Sequence, residues 1–558
     1  MDSIELEART AVPTTSAATP NVATDDSKDD SRETASIITI ATASPQYQHP
    51  KGIRLALLTL GLVLSILLAA LDMSIIATAI PTITSEFGSI ANIAWYGSAY
   101  SVTNGSFKLV WGKAYQYFPL KRVFLLSVAI FELGNIICGA AKGSEVLIMG
   151  RVVAGLGGGG VMTGSFIMIA ISVEDKYRAA YMGVVSATFG ISSVAGPLLG
   201  GGLTDSEFAF LTFHRISLPI GGLAVAIMTL TFRSPIVIRE MKLRERIIGL
   251  DLNGGILVTS FLSCFVLSMH YSGTHPWSSP RVWGSLVGSA LSFLAFIYNE
   301  YKMRDKAMVH AHLIKKWNVS LNLMYGFFLA GLFFPLQYIL PVQFQSVDAT
   351  SASQSGIRLI PLILAVSVFT AFSNGALTWW RHHKPFLLAG AFLATAGTAT
   401  IYSVKAPAST RTWLGFELLT GMGVGLALQI PMIYNQALVP RDDIPSVTSL
   451  TLFTENLGTT LFVAACEASF QQGLVAHLKK SLPSLDPHDV VNAGATQIRN
   501  LFHGGDLDMV LGSYLHGCRV SHLIALSCGV VACMVSVAAA GPSVVRTVME
   551  KWRKSHAG

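Results

Sequence analysis

Three ionisable side chains stand inside runs that are otherwise apolar. Asp72 lies in SILLAALDMSIIATAIPTI (65–83), Arg151 in LIMGRVVAGLGGGGVMTGSF (147–166) and Glu132 in the short stretch FELGN. A charge at membrane depth costs about 2.5–3.5 kcal/mol on insertion scales, so such groups are kept for a partner or a task. Burial favours the neutral form of a carboxylate and a nearby cation favours the charged form. A buried acid beside an arginine is therefore a group that can take up or release a proton as its surroundings change. Asp72, Arg151 and Glu132 are the proton-coupling candidates. For Glu132 a structural hydrogen bond is an equal alternative, and for Arg151 the alternative is snorkelling to the interface.

The elements that must position these groups are membrane helices. The chain has 558 residues, 51% hydrophobic and only 13% charged, with a mean hydropathy of +0.53. Its apolar runs are about 20 residues long, enough to cross a hydrocarbon core of ~30 Å as helices. Candidate spans begin near residues 54, 94, 122, 146, 180, 214, 251, 281, 317, 356, 385, 411, 446 and 520, fourteen in all. An even count puts both termini on one side. The short loops on that side hold 22 basic residues against four on the other, which places both termini in the cytoplasm. On this orientation Asp72 is about 27 Å along the first span, in the outer half with Arg151, and the two are expected to couple across an outer cavity. Lys108, near the inner end of the second span, is expected to snorkel.

Residues 1–50 carry a net charge of −5, leaving +12 on the remainder. That acidic, Ser/Thr-rich tail has no apolar periodicity and is expected to be disordered and cytoplasmic, with no cleaved signal peptide evident. Basic residues over 233–250 and 546–558 serve orientation and attraction to anionic lipid rather than nucleic acid. Six cysteines lack disulfide or metal spacing, and the histidines show no metal-ligand pattern. Neither a nucleophile elbow nor a phosphate-binding loop is present, which argues against an enzyme and against ATP as the energy source. No ring of like charges or filter repeat points to a channel.

LDMSIIATAIP (71–81), RVVAGLGGGG (151–160) and AGPLLGGG (195–202) fall in that order on spans one, four and five. Together they resemble the three signatures of drug:proton antiporters of the major facilitator superfamily. Gly196, Pro197, Gly200 and Gly201 match the antiporter motif G-x3-GP-x2-GG, with Ser192 at its first glycine and Gly183 at an earlier one. Residues 340–361 and 421–458 are similar to the fourteen-span branch, nearest to fungal toxin and multidrug efflux pumps. The resemblance implies an all-α fold of two six-helix bundles, 51–232 and 301–545, with two inserted helices at 251–300 and an external loop at 471–519. It also implies alternating access, with the proton gradient as driving force and no cofactor. The expected substrate is a small amphipathic organic molecule, and Gln343, Gln345, Gln429, Asn435, Gln436, Glu455 and Glu467 are its expected cavity contacts. A monomer in the plasma membrane is expected, with vacuolar or vesicle membranes as the other location. Import of a nutrient or siderophore on the same scaffold is the rival function.

One loop departs from the family pattern. In GKAYQYFPLKR (112–122), Gly112, Lys121 and Arg122 match the gating loop, but Gln116 replaces its acid, Tyr117 its arginine and Pro119 its second glycine. Hydrogen bonds or packing are expected to take over from the missing charge relay.

Overall fold

Within lipid a backbone can satisfy its own polar groups only as helix or closed barrel, and runs of this length select helix. The computed structural model describes residues 49–87, 93–203, 209–232, 242–380, 382–404, 409–487, 490–491 and 498–556, and these are helical apart from short connections. The long helices are α1 (Ile53–Phe87), α2 (Ile93–Tyr117), α3 (Leu120–Gly139), α4 (Ser144–Ser172), α5 (Arg178–Leu203), α6 (Ala209–Thr231), α7 (Leu252–Thr274), α8 (Pro280–Met303), α9 (Trp317–Ser346), α10 (Ala352–Trp380), α11 (Lys384–Ser403), α12 (Thr410–Ala427), α13 (Ile444–Ser481) and α14 (Gly504–His556). They coincide with the expected windows, except that α14 begins at 504 rather than near 520. Among the described residues ten spans are long and apolar enough to cross a membrane. A shorter apolar stretch, Ser217–Thr231, lies in α6.

The two halves, α1–α6 and α9–α14, repeat one contact register. Glycine removes the side chain where backbones must meet. Gly134 of α3 lies against Ala154 of α4 and Gly157 of α4 against Phe131 of α3; in the second half Gly397 of α11 lies against Thr420 of α12 and Gly423 of α12 against Ala394 of α11. The inserted helices α7 and α8 pack on each other, and α7 also packs on α2 and α13, at the seam between the halves. A separate apolar cluster with Leu109, Leu262, Phe296, Leu323 and Leu450 fills that seam.

The segment 471–519 differs from expectation. It is helical to Ser481 and again from Gly504, and Leu474, Leu478 and Leu482 pack with Val490, Ile498, Val510 and Tyr514 as a small core of their own. Falling hydropathy marks where lipid contact ends, whereas the helix continues on an apolar stripe spaced by four residues. At the other end of α14, Gly541 adopts φ +69° and bends the chain. Within the second half α12 breaks at Leu428–Gln429 before a short helix Ile430–Ala437, because Pro431 has no N–H to give to the preceding turn.

Candidate functional site

Asp72 and Arg151 form a direct ion pair. Arg151 Nη1 donates to Asp72 Oδ2 at 2.7 Å, and each side chain is 1% exposed. The same Nη1 donates to the Asp72 carbonyl at 3.2 Å, Nε donates to the Tyr96 carbonyl at 3.1 Å, and the guanidinium lies 4.5 Å from the centre of the Tyr100 ring. Three helices build this arrangement. One turn beyond Arg151, Gly155 lets α4 press on the backbone of Tyr100 in α2, so the arginine can reach across to α1. The Tyr100 hydroxyl donates to the Ala69 carbonyl at 3.1 Å, locking the ring under the cation. Arg151 therefore does not snorkel; it is anchored by a carboxylate, two carbonyls and an aromatic face.

The pair stands behind the wall of a central cavity. Its lining comes from both halves and includes Met73 beside Asp72, and Asn104 one turn along α2 from Tyr100. Phe166, Phe189, Phe333 and Phe334 make most of the wall apolar, with Gln337, Gln429, Glu455 and Asn456 as polar points. Such a wall suits an amphipathic organic molecule: aromatic area for the body and a few amides and charges for orientation.

Of the seven expected cavity contacts, Gln429 and Glu455 line this space. The other amides are occupied elsewhere. Asn435 accepts from Asn322 at 2.9 Å and donates to Thr451 at 3.0 Å, Gln436 donates to Thr448 at 2.9 Å, and Gln345 donates to Ser355 at 2.9 Å. Gln343 is buried outside the lining and Glu467 is exposed. Glu132 sits between α3 and α6, where its Oε2 is 3.5 Å from both Asn135 Nδ2 and Ser217 Oγ, away from the Asp72–Arg151 pair.

The described contacts between the halves cluster at the end of the bundle that carries the 112–122 loop. Gly105 admits Asn456 and Gly112 admits Ser449, drawing α2 against α13; Gly183 admits Asn374 and Gly190 admits Ser367, drawing α5 against α10. Gln116 Oε1 accepts from Ser446 Oγ at 3.2 Å, so a neutral hydrogen bond spans the halves where the family pattern has an acid. Lys121 donates to the Thr229 carbonyl at 2.5 Å, tying the loop to α6, and Arg122 is exposed. At the far end Gly196 admits Ser74, whose hydroxyl donates to the Ser192 carbonyl at 3.1 Å. Pro197, Gly200 and Gly201 continue α5, and their side-chain surroundings lie outside the described residues.

A cavity between two repeated six-helix halves is a scaffold for moving a solute, and comparison with known proteins identifies it. The sequence profile of the Major Facilitator Superfamily matches residues 62–463. The chain belongs to that superfamily. It is 37% identical over 500 residues to the MFS-type transporter grgE of a Penicillium species, covering 89% of this chain and 88% of the relative. It is 35% identical over 512 residues to the MFS-type efflux pump MFS1 of Arthroderma benhamiae, covering 90% and 92% respectively. The solved structure of the human organic anion transporter MFSD10 aligns with a TM-score of 0.54 at 13% identity, over 87% of this chain and 100% of that one. The proton:xylose symporter XylE aligns at 0.52 with 12% identity, over 84% and 94%. These two structural likenesses bear on the fold alone. As a member of the superfamily the chain is a multi-pass membrane transporter of small molecules rather than an enzyme.

The transporter's cavity also holds Lys108, which sequence reasoning sent to the interface. It is 5% exposed, lines the cavity and donates to Asn456 Oδ1 at 3.4 Å. The cause is close approach: Gly105 and Gly112 on either side of Lys108 bring α13 over it, leaving no room to snorkel. A lysine bracketed by glycines within an apolar run was the readable signal.

Proposed function

We propose that this transporter exports small amphipathic organic molecules, such as a toxin or secondary metabolite, in exchange for protons by alternating access. The buried Asp72–Arg151 ion pair behind the cavity wall carries the reading. Removing one partner of a buried pair costs about 3–5 kcal/mol, so the pair and the closed arrangement of helices hold each other in place. When α1 and α4 shift, Asp72 exchanges the arginine for a proton, and Arg151 keeps the Tyr96 carbonyl and Tyr100 ring. Arrival of a proton on Asp72 and movement of the halves are then one event, and the proton gradient drives the cycle with no cofactor. The Gln116–Ser446 bond joins the halves at the end opposite the pair without an ion pair. Relatives named as efflux pumps support export, and the basic loops support cytoplasmic termini.

Proton-driven ethidium efflux from energised cells tests this. Asp72→Asn keeps the size of the side chain and loses the exchangeable proton; efflux is expected to fall to the passive leak with surface expression unchanged. Undiminished proton-driven efflux by that variant sinks the proposal.

A further inference from the structure

The repeat between the halves exposes a second charge pair. In the first half Gly155 lies against Tyr100, and Arg151 stands one turn before it on α4. In the second half Gly421 lies against the Leu362 carbonyl, and Glu417 stands one turn before it on α12. Glu417 thus occupies the place of Arg151. Arg358, one turn before Leu362 on α10, occupies the place of Tyr96, whose carbonyl holds Arg151. The same position in the two halves carries opposite charge: a cation held by an acid in one, an acid facing a cation in the other.

We propose that Glu417 is a second proton-carrying carboxylate of this transporter, set in the C-terminal half at the position equivalent to Arg151. The proposal rests on the proton-coupled reading above for the use made of the proton; the site itself stands on geometry. Glu417 is 1% exposed, and its Oε1 is buried without a hydrogen-bond partner. Among the described residues Arg358 is the charge within electrostatic range of it. That arginine is already engaged: it donates to Asp348 Oδ2 at 3.0 Å and lies over the Phe344 ring at 5.6 Å. Trp413, one turn before Glu417, meets the same Phe344 ring edge-on at 4.9 Å and closes the aromatic wall between the cluster and the helix start.

The other charges on the neighbouring elements are committed elsewhere. Arg499 donates to the Val347 carbonyl at 2.9 Å and stands on the Asp348 side, Arg519 donates to the Val404 carbonyl at 3.1 Å, and Arg411 is exposed at the first turn of α12. Lys384, the charged residue of α11, is bonded to the Ala540 carbonyl at 2.9 Å. Arg358 faces Glu417 while bonded to Asp348, and Asp348 also has Arg499 beside it. Glu417 is satisfied either by a proton or by Arg358 turning toward it from Asp348. The step is a plain exchange: a proton joins the carboxylate to give a neutral acid, and no other bond changes. Arg358 is 30% exposed and links the buried acid to solvent.

pH-difference infrared spectroscopy of the full-length protein in lipid vesicles tests the assignment without any substrate. The wild-type protein is expected to show a carboxylic-acid carbonyl band that grows on acidification, reverses, and shifts in heavy water. Glu417→Gln is expected to delete one such band, while Asp72→Asn leaves that band in place. A wild-type band pattern in Glu417→Gln, or loss of the same band in Asp72→Asn, overturns the proposal. If Glu417→Gln fails to fold, Glu417→Asp keeps the acid on a shorter stem; a displaced band is expected, and an undisplaced one overturns the assignment. Failure of the Asp72 reading would appear as proton-driven efflux by Asp72→Asn with the Glu417 band intact, so the two failures are distinguishable.

Discussion

Arg151 is held by more than Asp72, and the consequences of removing it differ from those of removing the acid. Arg151→Leu leaves a buried carboxylate without its cation and is expected to destabilise the protein by about 3–5 kcal/mol, with partial recovery in the Asp72→Asn/Arg151→Leu double variant. Thermal unfolding of detergent-purified protein measures both; full additivity of the two changes would contradict the pairing. His383, just before α11, offers a pH-dependent check at the opposite end of the bundle. It is stacked on Tyr434 with ring centres 3.4 Å apart, and burial, then Lys384 and His382, push its imidazole down from 6.5 to about 4. The folded state thus favours the neutral ring: its stabilisation is complete above pH 6.5 and is lost as pH falls from there through about 4. A melting temperature that declines over that window, and declines less in His383→Asn, is the expected result. Both charged candidates at the pair were legible in the sequence, because a charge in an apolar run is a local anomaly. Their common depth pointed to coupling; that the two, 79 positions apart, bond directly and out of reach of solvent is a matter of packing.

Helices in this protein are set by two separable signals. Apolar runs locate them, so the starts of thirteen of the fourteen long helices fall within a few residues of the expected windows. Glycines decide how closely they pack. Gly423 meets the backbone of Ala394, whereas Gly415 on the same helix α12 faces open space. Gly423→Val is expected to cost roughly 1–3 kcal/mol through overpacking, and Gly415→Ala to stabilise by up to about 1 kcal/mol through helix propensity. Unfolding temperatures and yields of the two variants distinguish a packing glycine from a dispensable one. The extension of α13 to Ser481 escaped the hydropathy reading for the same reason: Leu474, Leu478 and Leu482 are a stripe on one face, too sparse to register as a span.

The whole molecule is held together at the loop-bearing end by small residues meeting small residues across the halves. A Cβ at Gly112 would run into Ser449 Cβ, so a larger residue there wedges the halves apart. Gly112→Val is expected to keep this end from closing and to lower proton-driven ethidium efflux, with surface expression retained. Undiminished efflux by that variant would mean that this contact has no part in the transport cycle. The substitution of Gln116 for an acid had already pointed to a neutral latch, and its bond from Ser446 is such a contact. Neither the bonding partner nor its position 330 residues away could be read from the loop.

The order of the helices, the three misplaced charges and the altered loop follow from the sequence, because hydropathy and charge are properties of short windows. Which polar groups face the cavity follows from packing. Asn435, Gln436 and Gln345 look like solute contacts in the sequence, yet each is spent on a neighbouring side chain, while Lys108 is turned inward by glycines on its own helix. The rotation of a helix about its axis decides this. In a membrane that rotation is governed by where backbones can approach, a relation between residues hundreds apart that no single stretch contains.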